Sequence, residues 1–269
     1  MSATQQKSGG SEQAVGRALD IMLCFSTEEP ELGTTELAQR LGLHKSTVHR
    51  IASFLASRGF LIQDGSTAKY RLGLKLVELG SLALRQMDVR RAARPYIREL
   101  ARRTEESVFL ALRDGDVAVY IDIAESPRPI SITAYIGRRA PLHCTGTGKV
   151  LLANLPESEI DHIIECTGLH RYTANTLTDP YALKQHLATI RTQGYAIDNE
   201  ENQEGIVGVA APVLDGAGRV IAAISLAGPS VRLRPRLLEI IAEVKETART
   251  ISLALGHRTE TSASVSTIV

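Results

Sequence analysis

Val15, Ala18, Leu19 and Met22 recur at i, i+3, i+4 and i+7, the spacing at which a helix buries one face, so a first helix is predicted there. After the turn-like Glu28–Gly33 stretch, Thr34 fits an N-cap with Glu36 in the first turn, followed by apolar Leu37, Ala38 and Leu41; Gly42 should end this short second helix. Between His44 and Gly59 a third helix carries two offset stripes. Val48, Ile51, Ala52 and Leu55 are apolar, while Ser46, His49, Arg50 and Ser53 at the same intervals are polar. One face packs and the other stays free. Phe60 to Gln63 and Lys69 to Leu72 then read as short strands around Asp64–Ala68, a hairpin with a polar, flexible tip. From Leu74 to about Met87 the apolar residues cover most of a helix circumference, more than an isolated helix can expose, which predicts packing against a partner subunit.

A second helix, roughly Arg90 to Thr104, opens a region of different texture. Val108–Leu112 and Val117–Ile123 flank Arg113-Asp114-Gly115-Asp116, and Gly208–Leu214 and Val220–Leu226 flank Asp215-Gly216-Ala217-Gly218, two hairpin signals. Between them lie a predicted strand at Ile130–Tyr135 and helices at Gly148–Asn154, Glu157–Cys166 and Tyr181–Gln193, and a closing helix runs from about Pro235 to Leu255. Hairpin strands with helices between them predict an α+β fold rather than a doubly wound sheet. The expected organisation is an unstructured N-terminus at 1–10, a winged helix-turn-helix domain at 11–73, a linker helix at 74–89, a second domain at 90–257 and a Ser/Thr-rich unstructured tail at 258–269.

Composition narrows the function. The chain has 269 residues, 43% of them hydrophobic and 23% charged, ordinary for two globular domains. It shows no leader-like apolar segment and no apolar run long enough to span a bilayer, so a soluble protein of the cytoplasm is expected, with no membrane partner. Cys24, Cys144 and Cys166 match neither a zinc knuckle nor a redox pair, which predicts reduced thiols. The net charge of +1 hides an asymmetry. Lys45 to Arg103 holds 13 Lys and Arg against 4 Asp and Glu, whereas the chain from Thr104 onward holds 15 against 20. The basic stretch either suits a polyanion or merely solvates helix faces.

The pattern around residues 34–58 meets the requirements of a helix-turn-helix: a small residue in its first helix (Ala38), a glycine in the turn (Gly42) and an apolar inner face on the second helix (Val48). Double-stranded DNA is the implied partner. Ser46, Thr47, His49 and Ser53 can hydrogen-bond base edges or phosphates, as can Thr34 and Thr35 at the preceding helix start; Lys45 and Arg50 can read guanine or neutralise phosphate. Lys69 and Arg71 on the hairpin suit the phosphate backbone or the minor groove. The alternative is a three-helix packing unit with a solvated polar face.

The stretch TTELAQRLGLHKSTVHRIASFLASRGFL, followed by YRLG at Tyr70–Gly73, resembles the winged helix-turn-helix of the IclR family of bacterial transcription regulators. The resemblance continues through APLHCTGTGKVLLA, GLHRYTANTLT, RTQGYAIDNEEN and AAPVLDGAGRVIAAISLAGP, from about Val15 to Gly256. It implies a GAF-like C-terminal effector domain built on an antiparallel sheet with flanking helices, a homodimer or a homotetramer formed as a dimer of dimers, a palindromic operator and, most commonly, repression. Carried over position by position, the effector pocket would fall at Ala140, Gly146, Thr147, Asp198, Gly208, Ser225 and Ala227. Thr147 and Ala227 depart from the family's glyoxylate-shunt regulator, which has Ala and Ser there, so glyoxylate or pyruvate is not implied.

Read from the residues alone, Thr145-Gly146-Thr147-Gly148-Lys149 is either a tight turn or a helix entry whose free N–H groups suit a carboxylate. It is not a Walker A loop, since His143 and Val150 stand where Gly and Ser or Thr would be needed. Asp198 either accepts a hydrogen bond from an effector hydroxyl or faces solvent in the acidic run to Glu204. No cofactor, metal or catalytic residue is assigned. His162, Cys166 and His170 fall at i, i+4, i+8, but Gly168 interrupts the helix that would align them, and His143 and Cys144, as neighbours on an extended chain, point apart. The rival classes are an α+β enzyme with an accessory DNA-binding domain, for which no GxSxG, HExxH or Rossmann motif is present, and a DNA-binding protein whose second domain only oligomerises.

Overall fold

The computed structural model describes residues 8–258, which divide into two units, unit 1 up to Gln86 and unit 2 from Met87. The expected unstructured N-terminus lies outside the described residues up to residue 7, but from Ser8 the chain is already helical, because an established helix extends through polar residues at little cost. The expected tail lies outside them from residue 259 onward.

Unit 1 holds α1 (Ser8–Leu23), α2 (Thr34–Leu41), α3 (Lys45–Ser57), the hairpin strands β1 (Leu61–Gln63) and β2 (Tyr70–Leu72), and α4 (Leu74–Gln86). Its core gathers Ile21, Leu37, Val48, Ala52, Leu61 and Tyr70, with Val48, Ile51, Ala52 and Leu55 supplying the inner face of α3. The buried face of α1 differs from the sequence expectation. Val15 and Leu19 are 59% and 51% exposed, and Ile21, absent from the predicted stripe, is fully buried beside half-buried Ala18 and Met22. The helix is apolar on two sides, and spacing alone could not say which faces the core.

Gly42 ends α2 in the left-handed conformation (φ 62°), and the next amide, Leu43 N–H, donates back to Ala38 O at 3.0 Å, closing the turn. The N-cap of α2 is Gly33 rather than Thr34, which is the first helical residue. Capping comes from Glu36, whose carboxylate accepts the Gly33 N–H at 2.6 Å, a role that frees the cap position from needing a side chain. Leu32 exchanges both backbone hydrogen bonds with Tyr70, adding a third short segment to the hairpin. The hairpin tip is tied down: Asp64 accepts from the amide and hydroxyl groups of both Ser66 and Thr67 at 2.6–3.0 Å, which holds its carboxyl well below the usual range. None of α4 is buried, and Leu74, Val77, Leu79 and Leu82 are exposed.

Unit 2 opens with α5 (Asp88–Thr104) and builds an antiparallel six-stranded sheet from β3 (Ser107–Asp114), β4 (Val117–Ala124), β5 (Arg139–Pro141), β6 (Ala196–Asn199), β7 (Ile206–Leu214) and β8 (Val220–Pro229), in the order β5-β4-β3-β8-β7-β6. Helices α6 (Gly146–Ala153), α7 (Glu157–Thr167) and α8 (Pro180–Gln193) intervene between β5 and β6; α9 (Ser230–Leu233), a short 3-10 turn and α10 (Leu237–Ala254) follow β8. The chain is α+β. Period-two alternation sends Val207, Val209, Val213, Ile224 and Leu226 to the face of the sheet opposite Ala111, Ala118, Ala196, Ala210 and Ala223, which pack with α6 and α8. These alanines keep the α6 side shallow, so α6 can approach the strands closely.

The predicted strand at Ile130–Tyr135 is not one. The segment has no ladder partner among the described residues, and three of its carbonyls are taken by side chains instead: Ser107 to Ile132 O, Arg232 to Ile130 O and Arg138 to Thr133 O at 3.0–3.3 Å. β6, a strand not anticipated from the sequence, pairs with β7 at the other edge.

Candidate nucleic-acid face and ligand cavity

On α3 the inner stripe is buried, so Lys45, Ser46, His49 and Arg50 are left exposed, with Thr47 half-buried at the same end. Thr35 is exposed at the start of α2, while Thr34 is half-buried. Ser53 does not join the open face. It is half-buried, with its hydroxyl 3.3 Å from the Tyr70 hydroxyl, the only polar atom of a fully buried side chain. On the hairpin Arg71 is exposed, whereas Lys69 is half-buried and leans toward Glu36 at 3.7 Å. Exposed His44, at the N-cap of α3, adds a further polar group that sequence reasoning had treated only as a boundary.

The basic stretch is split by the unit boundary. Six of its arginines, from Arg90 to Arg103, belong to α5 in unit 2, and most are committed within that unit. Arg90 donates to Ile121 O at 2.8 Å and reaches buried Asp122 with Arg94, Arg91 pairs with Asp88, Arg102 with Glu99, and Arg103 lies 3.9 Å from Glu243.

In unit 2 the seven positions named for a ligand, drawn from five separate stretches of chain, all line one open cavity. Strand register explains the meeting. Asp198, Gly208 and Ala227 lie in one row across β6, β7 and β8, and Ala210, Ser225 and Phe109 in the next, so their side chains share a face. Ala140 comes from β5, and α6 enters from above with Gly146 and Thr147 in its first turn. Thr145 caps α6, its hydroxyl accepting the Gly148 N–H at 3.0 Å while donating to Pro141 O at 2.8 Å. Gly148 is required by contact: a Cβ there would sit 2.6 Å from Leu142 Cα. The loop therefore serves packing as well as presenting the Gly146 and Thr147 amides at a helix N-terminus.

Sequence reasoning missed Phe109, Tyr120, Ile132 and Arg138 on the same wall. Phe109 and Tyr120 pack with ring centroids 5.2 Å apart, making one side aromatic. Ile132 sits on the segment mistaken for a strand, whose apolar alternation serves the cavity rather than a sheet. Tyr120 follows a register shift between Leu110 and Ala111 in the β3–β4 pairing, and that shift has no sequence signal.

Asp198 is buried, and its Oδ1 accepts the Glu201 N–H at 2.8 Å. Burial, reinforced by neighbouring Glu201, pushes its carboxyl up to about 7. Beneath it Lys149 is fully buried: its ammonium pairs with Glu201, donates to Ile197 O at 2.6 Å and lies 3.3 Å from His186 Nε2. Burial and this ammonium hold His186 below the usual imidazole range. The pair ties α6 to the turn just after β6, which carries Asn202 and follows Asp198 of β6, both lining the cavity. Burial also raises the Cys144 thiol to about 12, leaving it un-ionised at neutral pH, with its Sγ 3.8 Å from Asn202 Oδ1. His143 is engaged elsewhere, its Nε2 2.9 Å from His170 O. Cys166 lies 3.6 Å from the His162 ring, while His170 packs edge-on against Tyr172 beyond the Gly168 break.

Two family models match the chain: the IclR helix-turn-helix domain over residues 14–65 and the bacterial transcriptional regulator IclR C-terminal domain over 81–253. The HTH-type transcriptional regulator KdgR of Escherichia coli is 42% identical over 231 residues, 86% of this chain and 88% of that protein. The HTH-type transcriptional repressor AllR of Klebsiella pneumoniae is 36% identical over 91% of this chain and 90% of its own. An IclR homologue from Microbacterium hydrocarbonoxydans, solved in complex with 4-hydroxybenzoate, superposes with a TM-score of 0.79 at 27% identity, covering 90% of this chain and 98% of that one. Among the described residues no helix is long and apolar enough to cross a membrane. With a helix-turn-helix in unit 1, a walled cavity in unit 2 and matches along nearly its whole length, the chain belongs to the IclR family of DNA-binding bacterial transcription regulators and is not an enzyme.

Proposed function

We propose that the protein is an effector-responsive repressor of catabolic genes in the cytoplasm, reading a palindromic operator as a homodimer or dimer of dimers. The reading helix is α3, with Lys45, Ser46, Thr47, His49 and Arg50 facing base edges and phosphates, and Thr35, Lys69 and Arg71 holding the backbone. Exposed apolar α4 supports pairing with a second copy, because a monomer gains nothing from leaving Leu74, Val77, Leu79 and Leu82 in water. Unit 2 binds a small organic carboxylate in the cavity lined by Ala140, Gly146, Thr147, Asp198, Gly208, Ser225 and Ala227. Binding shifts the population between operator-competent and operator-released states.

One observation carries the effector reading: a cavity with an aromatic wall also collects the amides of a helix N-terminus, Arg138, the Asp198 carboxyl and the Thr147 and Ser225 hydroxyls. Apolar lining with a few convergent polar groups is how a site holds one small molecule in one orientation. The structural neighbour that holds 4-hydroxybenzoate supports the same reading.

A thermal-shift screen of the full chain against short carboxylic acids tests it, with chromatography of the mixture afterwards. The expected result is stabilisation that grows with acid concentration and leaves the acid chemically unchanged. Consumption of the acid would indicate an enzyme. No stabilisation by any acid would reduce unit 2 to an oligomerisation module.

A further inference from the structure

The cavity has a mouth, but its floor is closed. Phe109, Ala140, Thr147, Asp198 and Ser225 are all buried, so a ligand reaches them only if part of the wall moves. Most of that wall is fixed. Its strand residues are held in the six-stranded ladder, and Gly146 and Thr147 lie on α6, every residue of which is buried. The turn after β6 is held by Lys149 through Glu201, and by the Thr173 and Thr176 hydroxyls, which donate to Glu200 O and Glu201 O at 2.7 and 2.6 Å. The rest of the wall is built differently: Ile132, Ala134 and Arg138 belong to residues 125–138, a strap from the end of β4 to the start of β5 in which no residue is buried.

From 127 to 134 the strap makes no backbone-to-backbone hydrogen bond among the described residues. Its ends are anchored. Ser126 Oγ–H donates to Glu105 O at 2.6 Å, and Gly137, left-handed at φ 92°, donates its N–H to Tyr120 O at 2.8 Å. Between these anchors two groups from outside the strap hold its backbone: Ser107 Oγ–H donates to Ile132 O at 3.2 Å, and Arg232 Nη2 donates to Ile130 O at 3.0 Å. The arginine is the firmer tie, being charged and itself fixed. Its Nε and Nη2 donate to the two carboxylate oxygens of buried Glu106 at 2.7 Å each, and a Cβ on Gly228 would crowd that carboxylate at 2.5 Å, so the glycine leaves room for the pair. A segment with no buried side chain and so few ties opens at far less cost than the sheet and helix around it. We propose that the strap is the gate of the cavity and that Arg232 is the positioning residue that holds it shut, setting how readily a small molecule reaches the floor. The proposal rests on the ligand-cavity reading above and adds the route of entry to it.

Two measurements on the full chain, with no effector added, test it. In hydrogen–deuterium exchange, Arg232→Met should speed exchange of the amides at 130–136 about tenfold or more, while those of β7 and α6 keep the wild-type rate. Ser225→Cys puts a thiol on the cavity floor, and its alkylation by iodoacetamide, read peptide by peptide in the mass spectrometer, should accelerate by about the same factor when Arg232→Met is added. Glu106→Gln combined with Arg232→Met, which leaves no stranded buried charge, takes the place of the single variant if that one unfolds. Strap exchange that stays at the wild-type rate, or that rises only together with β7 and α6, overturns the pinning role of Arg232. Alkylation that the Arg232 variant leaves unchanged means that the floor is reached by another route and overturns the gate. Neither readout uses an acid, so failure here leaves the effector reading standing, and failure of every acid in the thermal-shift screen leaves the strap result standing.

Discussion

Lys149 spends its charge entirely inside the protein, on Glu201, on Ile197 O and beside His186. Removing one partner from a buried pair strands the other, so Lys149→Met should cost ~3 to 5 kcal/mol in denaturant unfolding, and adding Glu201→Leu should recover most of that loss. A loss under ~1 kcal/mol in the single variant would mean that the pair is not buried as described. Asp198 makes a pH prediction. Its carboxyl titrates near 7 when folded and near its ordinary 3.8 when unfolded, so between those values the folded protein holds a proton that the unfolded chain has released. The stabilisation from this group is complete below the lower value and is lost as pH rises through the upper one. Asp198→Asn, which keeps an acceptor for Glu201 N–H, should therefore gain on wild type by ~2 to 4 kcal/mol between about pH 5 and about pH 8. A pH-independent difference in melting curves would contradict the buried, raised carboxyl. At this scale the sequence showed residue types but not their commitments: Ser53 and Lys69 looked like free polar groups, and each meets a partner distant in sequence, Tyr70 and Glu36, while Thr34 is half-buried as the first residue of α2.

Elements were more legible than contacts, because hydrophobic period and turn residues act locally. The inner stripe of α3, the Gly42 stop and both long hairpins of unit 2 follow directly from spacing. Failures came where two readings share one pattern. Ile130–Tyr135 alternates like a strand, yet Ile132 and Ala134 line the cavity and the backbone bonds to side chains. The basic count likewise merged two elements, since five of the six arginines of α5, all but Arg98, pair with Asp122, Asp88, Glu99 or Glu243. In the proposed reading, phosphate and base contacts fall to the exposed end of α3 and the hairpin. Arg50→Ala should weaken binding to the preferred duplex by ~1 to 3 kcal/mol and relax one base position. Arg71→Ala should weaken all duplexes alike and lower the slope of affinity against salt by about one. Normal binding by both variants in anisotropy titrations would show that the reading face is elsewhere.

For the whole molecule, family motifs in their order pointed to a DNA-binding region followed by a ligand-binding one, and the structure places seven residues from five stretches around a single cavity. The aromatic side of that cavity was invisible, because it depends on a register shift and on a segment with no ladder partner. The account joins sequence-selective DNA binding to small-molecule occupancy in one chain. Its most direct test is selection of genomic fragments by the purified full-length protein, followed by salt titration of the recovered duplex with and without the acids that stabilise the protein. The account predicts a fragment containing a palindrome, retained with steep salt dependence and with an affinity that a stabilising acid changes. Retention of no duplex above random sequence, at any salt and with any of those acids, would contradict it.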